Sequence, residues 1–418
     1  MKKLLLILLC LPIIGFGQTS YNVTINNGNS WQGNIFIHYS SPTMSSSMRS
    51  VKIINPSGIE VFSENWGSKG RDFKVNYNNK ISYFDKSTKG WFIMDSLQNV
   101  LDSVYCLNGY TADGHDFIAL DNGNYILIAY DDQPYAMDTI VSGGDPNAII
   151  EGLIIQELDS NHNLIFEWKS WDHFHITDNI HLNLSSSNLP FIHANAIDID
   201  FDGHFLISSR NLDEITKINR TTGDIIWRLG GSQNEFNFIN DYPFTGQHSI
   251  QSLDSNRYLI FDNGLYSAQY TGTIKISRAV EYLIDTSQKT CEKVWEFVHP
   301  DSLYSKNVSS VQRLQNGNTL INFGNLEDFN LGSIISEVDQ NNQIVFQIEF
   351  ANNVRLYRAK KYDWFFYNSS TNLDVAISKK RKLINTYDIS GKNIKQKFNK
   401  IFFNLFDDGT VEKRIVIE

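Results

Sequence analysis

The chain has 418 residues, of which 41% are hydrophobic, 13% aromatic and only 20% charged. This composition excludes a disordered chain and favours a packed, aromatic-rich β protein. The net charge of −10 at pH 7 argues against a nucleic-acid-binding surface. It does not exclude an anionic small-molecule substrate, because a local pocket can be positive on a negative surface.

The N-terminus has the order of charged, apolar and small residues that is typical of a secretory signal peptide. Lys2 and Lys3 precede an apolar run, and the small residues Gly15 and Gly17 follow it. The apolar run is too short to span a bilayer. We therefore expect a signal peptide over 1–17 and a protein that is exported and then secreted or held at the cell surface.

An internal repeat runs through most of the chain and decides the expected fold. Four clear copies begin near residues 116, 194, 249 and 311, and two weaker copies cover 34–66 and 72–104. Each copy has short apolar strands separated by turns rich in Asn, Asp and Gly, which is the signature of hairpins. Six units of roughly 50–60 residues predict an all-β protein, a six-bladed β-propeller over 22–368.

Two cysteines remain after the predicted cleavage, Cys106 and Cys291. In an oxidising compartment they could pair, or they could be two buried free thiols. They fall in the second and fifth predicted blades, nearly opposite each other on the disc. A disulfide needs Cα atoms within about 7 Å, so we expect no bond between them.

A histidine stands at the head of three successive copies of the repeat. These are His115-Asp-Phe-Ile-Ala-Leu, His193-Ala-Asn-Ala-Ile-Asp and His248-Ser-Ile-Gln-Ser-Leu. Equivalent positions in neighbouring blades of a propeller point towards the same central axis. The repeat is therefore expected to gather three imidazoles into one pocket, at the starts of the inner strands.

Two further polar residues belong to the same expected pocket. Asn195 alternates to the same side of its strand as His193, and Arg210 closes the next strand of that blade. Such a pocket offers a neutral imidazole nucleophile, neutral donors and a fixed guanidinium with planar geometry suited to oxyanions. The chain has no glycine-rich phosphate loop that would indicate a nucleotide donor.

The other histidines are weaker candidates. His173, His175 and His181 could be metal ligands by composition, but loop residues at the rim of the pocket are the favoured interpretation. No metal and no cofactor is expected.

These motifs resemble the aryl-sulfate sulfotransferases of bacteria. The resemblance rests on His115-Asp with Asn122-Gly-Asn, on His193-Ala-Asn195 with Arg210, on the stretch Thr222-Gly-Asp-Ile-Ile-Trp-Arg-Leu-Gly-Gly231 and on Gln247-His248. It covers about 115–350 well and the first two blades poorly. That family is a six-bladed propeller that moves a sulfo group from a phenolic sulfate ester to a phenolic acceptor without a nucleotide.

The resemblance implies a role for each candidate residue. His248 matches the histidine that is transiently sulfated, while His115, His193 and Arg210 match residues that hold the sulfo group or transfer protons. Asn195 matches a substrate-binding residue, and Ser309 occupies the corresponding head position of the sixth blade. The chemistry agrees, because a histidine nucleophile divides one displacement into two and donors stabilise charge on the sulfo oxygens.

The C-terminal tail has a different character from the repeat. A basic run, Lys379-Lys-Arg-Lys, precedes short apolar segments with turn glycines at Gly391 and Gly409. Residues 372–418 resemble the C-terminal sorting domain of the type IX secretion system of Bacteroidota, a small β-sandwich. The resemblance implies that the type IX machinery carries the protein across the outer membrane.

Two other functions compete with sulfo transfer. A propeller can be a non-catalytic surface module that binds glycan or protein, because fold alone does not define function. The segment Ile215 to Trp227 also resembles a blade motif of quinone-dependent dehydrogenases, which appears in full only once here. Convergence of the three histidines with Arg210 would favour the sulfotransferase.

Overall fold

The structure of the protein is a computed structural model. It describes residues 21–41, 43–45, 48–272, 274–366, 383–388, 391–394, 401–406 and 411–415. The predicted signal peptide lies outside the described residues. The chain divides into two compact units, Met1–Tyr367 and Asn368–Glu418.

The first unit is a ring of six mainly antiparallel sheets. The first strand of the chain is β1 (Tyr21–Asn26). The first sheet contains β2 (Asn34–Tyr39), β3 (Ser50–Ile54) and β4 (Glu60–Glu64). The second sheet contains β5 (Lys69–Val75), β6 (Ile81–Asp85), β7 (Gly90–Met94) and β8 (Val100–Val104). The third sheet contains β9 (Thr111–Ala119), β10 (Tyr125–Tyr135), β11 (Ala148–Leu158), β12 (Leu164–Lys169) and β13 (Asn188–Leu189).

The remaining strands complete the ring. The fourth sheet contains β14 (Ala194–Ile199), β15 (Phe205–Ser209), β16 (Glu214–Ile218) and β17 (Ile225–Gly230), and the fifth contains β18 (Asn237–Ile239), β19 (His248–Ser252), β20 (Arg257–Asp262), β21 (Arg278–Asp285) and β22 (Thr290–Val298), with the short α1 (Ala268–Thr271) between β20 and β21. The sixth contains β23 (Ser310–Arg313), β24 (Thr319–Phe323), β25 (Ile334–Val338) and β26 (Ile344–Phe350), and β27 (Ala359–Tyr362) follows.

This arrangement confirms the predicted six-bladed β-propeller. The turn between the two inner strands repeats in three blades, with Gly123, Gly203 and Gly317 at φ of +88°, +85° and +87°. Only glycine adopts this backbone conformation without strain. Six buried apolar clusters hold the ring together, one between each pair of neighbouring sheets.

The sequence did not predict how the ring closes. The first blade was expected within 34–66, but its innermost strand is β27, which pairs with β2 near the other end of the propeller. β1 is added to the outer edge of the sixth blade by pairing with β26. Each end of the propeller segment therefore contributes a strand to the blade formed by the other end. The repeat marks neither of these two strands, β1 and β27.

A buried ion pair joins the sheets at this closure. Lys361 of β27 donates to Glu337 of β25 at 2.7 Å, and both side chains are fully buried. Glu337 also accepts hydrogen bonds from the Ser30 hydroxyl at 2.8 Å and the Trp31 N–H at 2.7 Å. The carboxylate thus connects the sixth blade, the first blade and the N-terminal segment.

We expect Lys361→Met to destabilise the propeller by about 3–5 kcal/mol, because it leaves the buried Glu337 carboxylate without its cation. Urea unfolding followed by tryptophan fluorescence measures this as a lower midpoint. Adding Glu337→Gln in the same chain removes the unpaired charge and should restore part of the loss. Equal stability of the single variant and wild type would show that the pair does not stabilise the closure.

The second unit contains a three-stranded antiparallel sheet of β28 (Leu383–Asp388), β29 (Ile401–Phe406) and β30 (Val411–Ile415). The described part of the chain contains no helix long and apolar enough to cross a membrane. Cys106 and Cys291 are both free, as their positions in separate blades predicted.

Candidate active site

Inner strands of three neighbouring blades bring the three histidines to one cavity of about 330 Å³. His248 is the first residue of β19, His193 directly precedes β14, and His115 lies in β9. The other residues that line this space are Arg210, Asn211, Asn307, Val308 and Tyr357. We call it the histidine cavity.

An irregularity in strand pairing lies beside each histidine. One extra residue interrupts the pairing at Ser249 in β19 and at Asn195 in β14. In β9 the interruption extends from Ala112 to Phe117, so His115 lies inside a bulge and does not start the strand as expected. Bulges re-aim side chains and are common next to active sites.

The tautomer of His248 is fixed by its neighbour Asn263. The Asn263 Nδ2 donates to the carbonyl oxygens of Ser305 at 2.6 Å and Val308 at 3.1 Å. Its Oδ1 therefore faces His248 and accepts a hydrogen bond from Nδ1 at 2.8 Å. The proton resides on Nδ1, and Nε2 keeps its lone pair.

The environment of His248 also favours the neutral imidazole. Its side chain is buried, and burial together with the nearby Arg210 cation holds its pKa well below the usual 6.5. At pH 7 the ring is therefore unprotonated at Nε2, as a nucleophile must be.

A strained loop approaches this nitrogen. The backbone N–H of Val308 donates to His248 Nε2 at 3.2 Å. Val308 has φ of +53° and Ser309 has φ of +91°, which is the left-handed region that disfavours a β-branched residue. Backbone strain of this kind persists where surrounding contacts enforce it and is concentrated at functional sites.

Ser309 helps to enforce the loop conformation. Its N–H donates to the Tyr357 carbonyl at 3.1 Å, and its hydroxyl accepts from the Gly324 N–H at 3.0 Å. The same hydroxyl lies 2.9 Å from that of Ser305. Ser309, predicted to bind substrate, thus lies behind the residues that line the histidine cavity and shapes the loop that presents the Val308 N–H.

The two residues before His248 attach the fifth blade to the fourth. The N–H of Gly246 donates to Asp213 at 2.6 Å, and the Gln247 amide donates to the Glu214 carbonyl at 2.9 Å. Gly246 has φ of +62°, and a Cβ there would lie 2.8 Å from the Leu265 Cβ. This position therefore requires glycine.

His115 is paired with Asp113, which the sequence analysis did not identify. The His115 Nδ1 shares a short hydrogen bond with Asp113, whose carboxylate also accepts the His115 backbone N–H at 2.8 Å. Burial raises the pKa of Asp113, but the hydrogen bond and charge of His115 outweigh it and lower the value to about 2. The carboxylate therefore orients the ring and leaves Nε2 for proton transfer.

His193 lies against His115. Their ring centroids are 4.5 Å apart and the rings are nearly perpendicular. Burial, with the charges of His115 and Arg210, lowers the pKa of His193 to about 3. It is a neutral hydrogen-bonding group at pH 7.

Arg210 supplies the fixed cation. Its backbone N–H donates to the His193 carbonyl at 2.8 Å, which holds the turn Arg210–Leu212 beside the histidines. Its guanidinium donates to the Asn211 side chain at 3.1 Å and to the Lys306 carbonyl at 3.4 Å. It forms no ion pair with any described residue, and its buried Nε has no hydrogen-bond partner among them. The guanidinium can therefore accept an anion.

Asn195 lies behind the histidines. Its side-chain Nδ2 donates to the Gln247 carbonyl at 2.7 Å, and it is not among the lining residues. Its own carbonyl accepts hydrogen bonds from the Tyr357 hydroxyl at 2.8 Å and from Arg358 at 3.1 Å. In this arrangement Asn195 joins the fourth and fifth blades and positions the residues of the cavity.

Tyr357 forms one wall of the histidine cavity and Arg71 stacks on it, and the repeat revealed neither residue. The Tyr357 hydroxyl shares its one proton between the Asn195 carbonyl and the His115 carbonyl, which lies 2.7 Å away. The Arg71 guanidinium stacks on the Tyr357 ring at 4.5 Å. Tyr357 lies just before the closing strand β27, and Arg71 lies in the second blade, where the repeat is weak. No motif marks either residue.

A second space of about 240 Å³ adjoins the histidine cavity and shares Arg210 and Asn211 with it. Its other walls include the apolar or aromatic side chains of Leu182, Pro190 and Tyr266. Their character suits an aromatic ring. We call it the apolar subsite.

The three loop histidines have separate contacts. His173 stacks on Trp168 at 5.0 Å, and His181 pairs with Asp213 at 2.7 Å. His175 caps the turn that follows it. Within the described part of the chain, no three His, Cys, Asp or Glu side chains are grouped to hold a metal ion.

Comparison with known proteins identifies the class of this propeller. The family model of the arylsulfotransferases (ASST) matches residues 33–362, which is most of the chain. The chain belongs to the arylsulfotransferase family. None of the curated proteins matches it.

Solved structures match this chain at low sequence identity. A protein of unknown function from Bacteroides caccae is 12% identical with a TM-score of 0.50, and the match covers 80% of this chain and 100% of that one. A catalytically inactive virginiamycin B lyase from Staphylococcus aureus with quinupristin is 10% identical with a TM-score of 0.41, and the match covers 94% and 98%. These likenesses concern the fold alone.

Proposed function

We propose that this protein is an aryl-sulfate sulfotransferase that moves a sulfo group from a phenolic sulfate ester to a phenolic acceptor through a sulfo-histidine. The observation that carries this proposal is the neutral Nε2 of His248 beside a guanidinium, Arg210, that has no carboxylate partner among the described residues. A nucleophile and an anion-binding cation then face the same small space.

In the first half-reaction, the lone pair of His248 Nε2 attacks the sulfur of the donor ester. The S–N bond forms, and the bond between sulfur and the phenolic oxygen breaks. The electron pair leaves with that oxygen, and a proton from His115 Nε2 converts the phenolate into phenol.

In the second half-reaction, the acceptor phenol loses its proton to His115 Nε2 while its oxygen attacks the sulfo-histidine. The S–N bond breaks, and its electron pair returns to His248. The proton taken from the acceptor is the one that the next leaving phenolate receives. Asp113 stabilises the imidazolium that carries it between the two steps.

Three donors stabilise charge on the sulfo oxygens. The Arg210 guanidinium offers a planar pair of N–H groups, and the neutral His193 offers one more. The Val308 N–H, which points at His248 Nε2, becomes available to a sulfo oxygen once that nitrogen is bonded to sulfur. The ring of the acceptor phenol lies in the apolar subsite beside Arg210, among Leu182, Pro190 and Tyr266.

Incubation with a chromogenic aryl sulfate tests the proposal. Release of the coloured phenol should be slow with donor alone and should accelerate when a phenolic acceptor is added, with the sulfated acceptor as product. A protein that binds the donor but releases no phenol under either condition would support the binding-module alternative instead.

We expect Arg210→Lys to reduce kcat/KM by roughly 10²–10³-fold, the usual effect of losing one donor to a developing oxyanion. Lysine keeps the positive charge but cannot reproduce the planar grip of two N–H groups. Steady-state kinetics with the chromogenic donor measure the loss. Activity close to wild type would show that Arg210 acts only through its charge.

The N- and C-terminal segments support export. We propose that residues 1–17 direct the chain to the periplasm and that the tail over 372–418 engages the type IX secretion machinery. Deleting 383–418 should leave the cooperative melting transition of the propeller unchanged, since the tail is a separate compact unit. Fractionation of the producing cells should then find the truncated protein in the periplasm. Delivery to the surface without the tail would contradict this assignment.

A further inference from the structure

A third space, of about 300 Å³, adjoins the histidine cavity. It shares Asn307, Val308 and Tyr357 with that cavity. Its remaining lining residues come from the first and second blades and from the segment before β27, and they are His38, Ser40, Ser41, Arg49, Arg71, Lys86 and Arg355. We call it the cationic pocket, because four of its side chains are basic and none is acidic.

Most of this positive charge is not neutralised within the described part of the protein. Arg49, Arg71 and Lys86 form no ion pair with a described residue, whereas Arg355 pairs with Glu327. Glu327 is shared with Lys306 at 3.1 Å, so it offsets only part of the charge. Burial, followed by the charges of Arg71 and Arg49, lowers the pKa of Lys86, as expected for cations that repel one another.

A buried polar side chain points into the pocket without a partner. His38 lines the pocket and is 7% exposed, and its Nε2 has no hydrogen-bond partner among the described residues. The Arg49 Nε is likewise buried and unpaired. A buried donor or acceptor without a partner is unfavourable, and a ligand bound in the pocket would satisfy these groups.

Arg71 connects the cationic pocket with the histidines. It stacks on Tyr357, donates from Nε to the Gly114 carbonyl at 2.9 Å and, after burial, is the largest influence that lowers the pKa of His115. A single small molecule whose sulfate lies at His248 can therefore place another group among Arg71, Arg49 and Lys86.

We propose that the cationic pocket is a subsite for a second anionic group on the aryl substrate, a carboxylate, a sulfate or a phosphate. The preferred donors are then dianionic aryl esters, with one sulfo group at His248 and another anion at Arg49 and Lys86. This inference rests on the proposed function. It adds a class of substrate that neither the nucleophile nor Arg210 would select.

Calorimetry on the His248→Ala variant tests the subsite without turnover. The ligands are phenyl sulfate, 4-carboxyphenyl sulfate and benzene-1,4-disulfate ester. The first carries one anionic group, the second adds a planar carboxylate, and the third adds a tetrahedral sulfate. We expect at least one dianion to bind ten-fold or more tightly than phenyl sulfate. The two dianions together decide whether the subsite prefers a carboxylate or a tetrahedral anion.

Charge removal in the same background assigns the preference to this pocket. Arg49→Gln with Lys86→Gln should reduce the preference for the dianion to about two-fold or less, while affinity for phenyl sulfate falls at most about three-fold because these cations lie beyond the sulfo group. Lys80→Gln is the matched control. Lys80 and Lys86 directly precede and follow β6, so they lie at opposite ends of the same strand. The control should retain the full preference.

The other possible results would overturn either the subsite alone or the proposed function together with it. Equal affinity for all three esters, or a preference that survives loss of Arg49 and Lys86, would overturn the subsite and leave the proposed function intact. Failure of every ester to bind, together with no phenol release by the wild type, would overturn the proposed function and this inference with it.

Discussion

His248→Ala should reduce both phenol release and sulfo transfer by roughly 10⁴-fold or more, the scale seen when a covalent nucleophile is removed. Burial and Arg210 keep His248 unprotonated, and the hydrogen bond to Asn263 directs its lone pair into the cavity. Donor binding should survive through Arg210 and His193. Kinetics with the chromogenic donor and an acceptor measure the loss of turnover, and the wild type should show a ping-pong pattern.

The covalent intermediate offers a direct test of the same residue. Brief exposure of the wild type to an aryl sulfate alone should add the mass of one sulfo group to the peptide that contains His248. The His204→Ala variant is the matched control, because His204 lies in the turn at the far end of the hairpin that His193 begins. It should still form the adduct. An alanine variant at 248 that still turns over would contradict the mechanism.

The pH dependence follows from the direction of the pKa shift of His248. Because its pKa is lowered, the nucleophilic form persists through neutral pH and is lost only when acidification passes below 6.5. With a donor whose phenolate leaves without a proton, kcat/KM should therefore be flat above pH 6.5. A rise in rate through pH 7 would mean that the nucleophile has an ordinary or raised pKa.

The repeat was sufficient to predict the propeller and the convergence of three histidines. Its turn residues and apolar strands recur in the same order in each copy, so equivalent positions are placed by the sixfold arrangement. Arg210 was found for the same reason, since it directly follows the second strand of the blade that His193 begins. The three histidines share a position in the repeat, and their proximity follows from it.

The residues that orient His248 and complete the wall of the cavity do not occupy equivalent positions in the repeat. Asn263 contacts His248 from the end of the neighbouring strand in the same blade, and Val308 contacts it from the loop before the sixth blade. The Val308 contact depends on a strained backbone conformation that the residue type does not predict. Tyr357 reaches the centre from the segment that closes the ring. Such contacts depend on loop conformations and on closure, and a single sequence encodes neither as a pattern.

Asn195 and Ser309 show the limit of assigning roles by position. Both lie where the repeat places them, next to the central axis. However, a β-bulge at Asn195 and the hydrogen bonds of Ser309 to Gly324 and Ser305 direct their side chains to neighbouring protein atoms. In this structure they support the histidines and the Val308 loop.

Asp113→Asn should reduce kcat/KM most for donors whose phenolate needs a proton in order to leave. The carboxylate raises the pKa of His115 against the effects of burial and Arg71, and the asparagine keeps the shape but loses that charge. Less imidazolium is then available to protonate the departing phenolate. For 4-methylphenyl sulfate we expect kcat/KM to fall by roughly 10²–10⁴-fold, the usual contribution of general acid catalysis. For 4-nitrophenyl sulfate, whose phenolate leaves unaided, the loss should be less than about ten-fold.

The pH profile of the Asp113→Asn variant should also shift in a defined direction. The pKa of Asp113 is about 2, so the carboxylate is ionised throughout the assay range and its effect on His115 is constant. Without it the pKa of His115 falls, and the limb on which activity with 4-methylphenyl sulfate declines as pH rises should move to lower pH. The matched control is Asp102→Asn, because Asp102 pairs with His162 at 2.9 Å, and neither residue lines the histidine cavity. If Asp113→Asn slowed both donors equally and left the profile in place, Asp113 would only hold the bulge in β9, and the proton would have to come from His193.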